Sequence, residues 1–177
     1  MTEPRVSLPA VPEPAPEAAH RRPRDVFWLV VPAASGVVLG VLWWLLAPGG
    51  LNLVSGNPDL ADPANTESWL PRDLVLAALM LVAGIVTGLM LDGKLQGVYA
   101  TRRLVLALLG GAVGAVIAWL AGLLAAQWWG PAQDPAVDPA FGFTLRSYAV
   151  LVLWPGATAF ITFVLALFGV LSKKPVK

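Results

Sequence analysis

The chain contains no cysteine and one histidine, His20. The first absence excludes disulfides, thiolate metal sites and thiol redox chemistry. The second leaves a serine nucleophile no histidine base outside the N-terminal tail. Charge is also scarce, at 13% of residues, against about 25% in an ordinary soluble domain. A phosphate-cradling glycine loop is missing too, because Asp92-Gly93-Lys94 lacks the required spacing of glycine, lysine and hydroxyl.

What the chain has is apolar length. Four runs carry no charged residue: Val26–Pro58, Leu74–Leu91, Leu104–Gln133 and Ser147–Ser172. A helix needs about 20 apolar residues to cross the hydrocarbon core of a bilayer. The expected fold is therefore all-α, a bundle of four transmembrane helices over about 26–47, 74–91, 104–126 and 148–171. Within the last, Pro155-Gly156 should remove a backbone hydrogen bond and kink the helix about a third of the way along. The transmembrane domain, residues 26–172, is flanked by a proline-rich tail, 1–25, and a short basic tail, 173–177. Six prolines lie between Met1 and Arg24, so the first tail should be disordered and solvated. The apolar run after it exceeds the 7–15 residues of a signal peptide, so it should remain attached.

Basic residues near the helix ends set orientation. Arg5, Arg21, Arg22, Arg24, Lys94, Arg102, Arg103, Lys173, Lys174 and Lys177 fall on one side, and only Arg72 and Arg146 on the other. Both termini are therefore expected in the cytoplasm. The basic cluster also suits anionic lipid headgroups, although a topology signal alone explains it.

Helices in lipid associate by close backbone approach, which favours small residues. Gly36/Gly40 and Gly84/Gly88 each form a G-x-x-x-G pair, and Gly110, Gly114, Ala118 and Gly122 extend the spacing along the third helix. These are the expected packing residues, and the third helix should be central. They serve either a seam between copies or packing within one chain, the latter being the simpler reading. The first and third helices share the Gly36/Gly40 and Gly110/Gly114 pattern with a following tryptophan, as a parallel duplication would leave.

Seven of the eight tryptophans should sit toward the outer side, Trp28 being the exception. An interfacial aromatic belt explains most of this. Trp43, Trp44, Trp119 and Trp154 are the candidate contacts if an outer pocket holds a lipid or isoprenoid chain. No ionisable residue falls inside the four expected helices, which argues against coupled transport. Asp73, Asp134 and Asp138 are the only outer carboxylates placed for chemistry, and each stands where aspartate caps a turn or helix. No catalytic, metal or cofactor residue is assigned, and no nucleic acid partner is expected.

Trp43-Trp44-Leu45-Leu46-Ala47-Pro48, the acidic loop after it, Glu67-Ser68-Trp69 with Arg72-Asp73, and the Gly84/Gly88 core occur in that order. The arrangement resembles a family of uncharacterised actinobacterial multi-pass membrane proteins, classed only as a domain of unknown function. The resemblance implies a bacterial plasma membrane and transfers no catalytic residue. The expected role is a non-catalytic scaffold or accessory subunit, in contact with membrane lipids and with a larger complex or a second copy. A lipid- or isoprenoid-binding, flippase-like protein is the alternative. Reporter fusions at Lys177 and between Asn57 and Glu67 should report cytoplasmic and external positions respectively; a periplasmic C-terminus would refute the topology.

Overall fold

The computed structural model describes residues 23–54, 56–57, 69–94, 99–130 and 143–171. Residues 1–22 of the proline-rich tail and the Asp134/Asp138 loop lie outside them, while Pro23–Asp25, assigned to that tail from sequence, open α1. Among the described residues the secondary structure is entirely helical: α1 (Pro23–Leu46), α2 (Trp69–Leu91), α3 (Ala100–Trp129) and α4 (Leu153–Leu171), the last entered through a 3₁₀ turn over Tyr148–Val152. All four rods are long and apolar enough to cross a membrane. This is a four-span membrane protein.

Helix starts differ from the sequence expectation in one consistent way. α2 begins five residues before Leu74 and α3 four before Leu104, so Arg72, Asp73, Arg102 and Arg103 are helical. α1 likewise takes in Asp25. Charge ends an apolar run, but it does not end a helix. Pro71 falls in the first turn of α2, where its missing N–H has no carbonyl to serve. Pro155 is the third residue of α4 for the same reason, so the kink expected a third of the way along is replaced by a change from 3₁₀ to α at Leu153. Pro32 is the true interior proline, in α1. There it removes a bond to the carbonyl of Trp28, which faces Gly110 of α3.

The helices pair by alternate order, α1 with α3 and α2 with α4. Both pairs are parallel, as their contacts show. Asp25 meets Arg102 and Arg103, Pro32 and Gly36 meet Gly114, and Gly40 meets Ala118 and Gly122. In the other pair Asp73 meets Arg146 and Ser147, Gly84 meets Ala157, and Gly88 meets Ile161. α3 touches the other three helices, and its glycines face both α1 and α4, as a central third helix should; α2 touches all three as well. The bundle is two pairs joined more lightly to each other.

The glycines set the spacing within each pair. A Cβ on Gly36 would stand 3.0 Å from the Gly114 Cα, and one on Gly40 2.9 Å from the Gly122 nitrogen. Backbone cannot retreat from such contacts. Gly36 meets Gly114, not Gly110, its counterpart in the repeated motif, so the two copies pack one turn out of register. Gly36→Ala and Gly40→Ala should each lower the thermal midpoint in detergent, overpacking of this kind costing about 1–3 kcal/mol. Gly169, with open space around it, is the control. Gly169→Ala should leave the midpoint unchanged or raise it, because helical glycine costs about 0.5–1 kcal/mol against alanine.

Candidate functional site

Two of the four expected ligand-contact tryptophans are core plugs. Trp43 and Trp154 are 0% and 1% exposed. The Trp43 ring fills the space beside Gly122, and the Trp154 ring lies against Gly111 and Gly114. Trp44 is buried as well, and Trp119 is half-buried with its ring edge-on to Tyr148. Burial leaves Trp43 and Trp154 no free face for a lipid chain in this conformation. The packing glycines Gly36, Gly40, Gly84, Gly88, Gly110, Gly114 and Gly122 all face a neighbouring helix inside the chain, with Ala118 opposite Gly40.

The indole N–H groups separate these tryptophans further. Trp43 Nε1 donates to the Arg72 carbonyl at 3.0 Å, and Trp154 Nε1 donates to Thr87 Oγ1 at 3.2 Å. Thr87 in turn donates to Ala83 O, and Thr158 Oγ1 lies within bonding distance of both Gly84 O and Trp154 O. These hydroxyls place polar ties inside the bundle without charge. Trp44 Nε1 and Trp119 Nε1 are buried without an acceptor among the described residues.

Charge is concentrated in two clasps, one at each end of the bundle. At the end where α1 and α3 begin, Asp25 is 3% exposed and bridges Arg102 Nη1 at 3.2 Å and Arg103 Nε at 3.3 Å. Arg103 also donates to the Lys94 carbonyl at 3.0 Å, securing the end of the α2–α3 connection. At the opposite end Asp73, also 3% exposed, accepts the backbone N–H of Arg146 at 3.2 Å and of Ser147 at 2.8 Å through Oδ2. The neighbouring Arg72 is buried with its guanidinium 5.7 Å from the Phe143 ring centre, and Phe143 stacks on Trp43 at 4.5 Å. Asp73 Oδ1 has no partner among the described residues.

Sequence reasoning set Asp73 aside as a cap, and a cap is its observed role, although it caps the approach to α4 across the bundle instead of its own helix. It did not anticipate Asp25 as the link between α1 and α3, nor a buried Arg72. The signal was present: each carboxylate stands within the first five residues of its helix, Arg102-Arg103 lie in the opening turn of α3, and Arg146-Ser147 directly precede the turn into α4. The charged residues that the helices take in, among them Asp25, Arg72, Asp73, Arg102 and Arg103, all precede the apolar spans expected from sequence and lie within the first five residues of their helices. Among the described residues no three His, Cys, Asp or Glu side chains come together to hold a metal ion. No protein-family model matches the chain, and no curated protein or solved structure matches it. The actinobacterial resemblance rests on its sequence motifs alone.

Asp73→Ala should destabilise the protein, since two N–H groups at the mouth of α4 lose their acceptor, at about 1–3 kcal/mol for each group left unsatisfied. Asp73→Asn keeps an acceptor oxygen and should cost less. Thermal midpoints in one detergent give the order wild type, Asn, Ala; equal midpoints would contradict a structural clasp.

Proposed function

We propose that the chain is a non-catalytic membrane scaffold or accessory subunit of a bacterial plasma membrane, with both termini cytoplasmic. One observation carries this reading. Among the described residues, each of the six buried polar or charged side chains, Asp25, Arg72, Asp73, Thr87, Thr158 and Thr162, makes a contact inside the chain that holds helices or their backbone. Polar groups in lipid are costly and ordinarily mark a substrate or ion path. Here their contacts serve assembly of the bundle.

The outward faces fit such a role. α4 presents Phe160, Phe163, Leu167 and Phe168, and α1 presents Phe27, Val30, Val37 and Val38. In a bilayer these faces meet either lipid chains or apolar helices of another subunit. The ten-to-two division of basic residues supports the orientation.

The lipid- or isoprenoid-binding reading is second, and it has its own observation. Trp44 and Trp119 each hold a buried indole donor without an acceptor among the described residues. A lipid ester carbonyl has the acceptor chemistry to complete either one.

Purification of the tagged protein from its own membranes in mild detergent, with proteins and lipids both identified by mass spectrometry, separates the two. A stoichiometric protein partner, or a stable homo-oligomer, is the expected result. A monomer carrying one enriched lipid, lost on Trp44→Phe or Trp119→Phe, would overturn the scaffold reading in favour of the second.

A further inference from the structure

The described part of the segment after α1 is apolar and tightly folded. Ala47–Asn57 carries no charged residue. Gly50 N donates to Ala47 O at 3.1 Å across Pro48-Gly49, with Gly49 at φ 87°, the residue order a type II turn requires. Leu51 N then donates to Trp44 O and Leu53 N to Leu45 O, both at 3.2 Å. These carbonyls belong to the last turn of α1, which has no intrahelical donors for them. Asn52, at φ 53°, accepts Gly56 N at 3.0 Å and donates Nδ2 to Asn57 O at 2.9 Å. The loop thus caps the helix it leaves and uses its own backbone donors to do so.

Its side chains point the other way. Leu51, Leu53 and Val54 are exposed, the last two at 66% and 65%. At the same end of the α1/α3 pair Trp128 and Trp129 close α3, also exposed, and Trp129 lies 6.0 Å from the ring of Trp44, against which Gly50 of the loop packs. The exposed apolar residues of the loop and of α3 thus stand at one end of the pair, around Trp44.

Helix length gives the patch its depth. Asp25 and its two arginines mark one boundary of the hydrocarbon core. About 30 Å of hydrocarbon, at 1.5 Å per residue, takes α1 from Val26 to the region of Leu46. The loop therefore starts where the opposite boundary falls. α3 is about 45 Å long by the same rise, which carries Trp128 and Trp129 into the headgroup zone. Irregular backbone is tolerated at that depth when its polar groups are satisfied from within, as the donors of Gly50, Leu51, Leu53 and Gly56 are.

We propose that residues 47–54 form an interfacial element, with Leu51, Leu53 and Val54 seated among lipid chains at the depth of Trp128 and Trp129, and that its partner is the lipid surface of that leaflet. A protein that docks by adding a strand needs free backbone donors, and four of the loop's donors are already engaged. The placement is independent of the scaffold reading.

The cysteine-free chain allows a direct test. Single nitroxide labels at Leu53→Cys and Val54→Cys are compared with Lys94→Cys and Phe163→Cys in vesicles of phosphatidylethanolamine and phosphatidylglycerol. All four sites are exposed, so each variant should keep the wild-type gel-filtration volume. Collision with dissolved oxygen against collision with a water-soluble nickel chelate reports depth. At Leu53 and Val54 the oxygen-to-nickel ratio should stand several-fold above that at Lys94 and shift toward Phe163. A ratio equal to that at Lys94 would place the loop in water, and protection from both reagents would mean a protein or a second copy covers it; either result overturns the proposal.

Discussion

The close approach of α1 to α3 at Gly36 and Gly40 is the constraint on which the rest of the bundle depends. Lipid offers no hydrophobic drive between helices, so association relies on dispersion at short range. Glycine permits that range, and a Cβ on either residue would meet main chain of the partner. Once the helices are this close, the larger residues have to go elsewhere. Trp43 turns to the notch at Gly122, and Trp154 enters from α4 against Gly111 and Gly114. The tryptophans are therefore part of the same packing solution as the glycines, each bulky ring answering a missing side chain.

Both parallel pairs are closed by the same device at opposite ends. In α1 and α3, a carboxylate in the first turn of the earlier helix binds two arginines in the first turn of the later one. In α2 and α4, a carboxylate at the fifth residue of the earlier helix binds two backbone N–H groups just before the later one. Each clasp lies where two parallel helices start together. Helix N-termini carry partial positive charge and orphan donors, so an aspartate suits both positions. Sequence neighbours, being antiparallel, have no shared start and are joined by lighter contacts such as Trp43 to the Arg72 carbonyl.

Four spans and the packing glycines were legible in the sequence because hydropathy and the four-residue spacing are local properties of the chain. The partner of each glycine was not. Gly36 and Gly110 occupy matching places in the repeated motif, and only the three-dimensional register shows that Gly36 packs on Gly114. The roles of the tryptophans were misread for a similar reason. Indole favours the interface in general, but a notch on another helix, here at Gly111 and Gly114 of α3, cannot be read from the identity of Trp154. Asp25 and Asp73 were hidden by the rule that found the spans, since a charge was taken as the edge of a helix when it stood a few residues inside it.

Polarity in the bundle is graded with depth, and the gradient explains which tie is used where. Near the boundary water and headgroups still lower the cost of an ion, and there the chain uses carboxylates and arginines. Deeper in, the ties are neutral: Trp154 to Thr87, and Thr158 at the Gly84 and Trp154 carbonyls. A hydroxyl can share an acceptor already engaged by its own helix, so it adds a link without leaving a donor bare. An aspartate at Thr87 or Thr158 would need a second charge to accompany it, and the small residues that let the helices meet leave no room for one. The close packing and the neutrality of the interior are thus one requirement, set by glycine at the centre and relieved by aspartate at the ends.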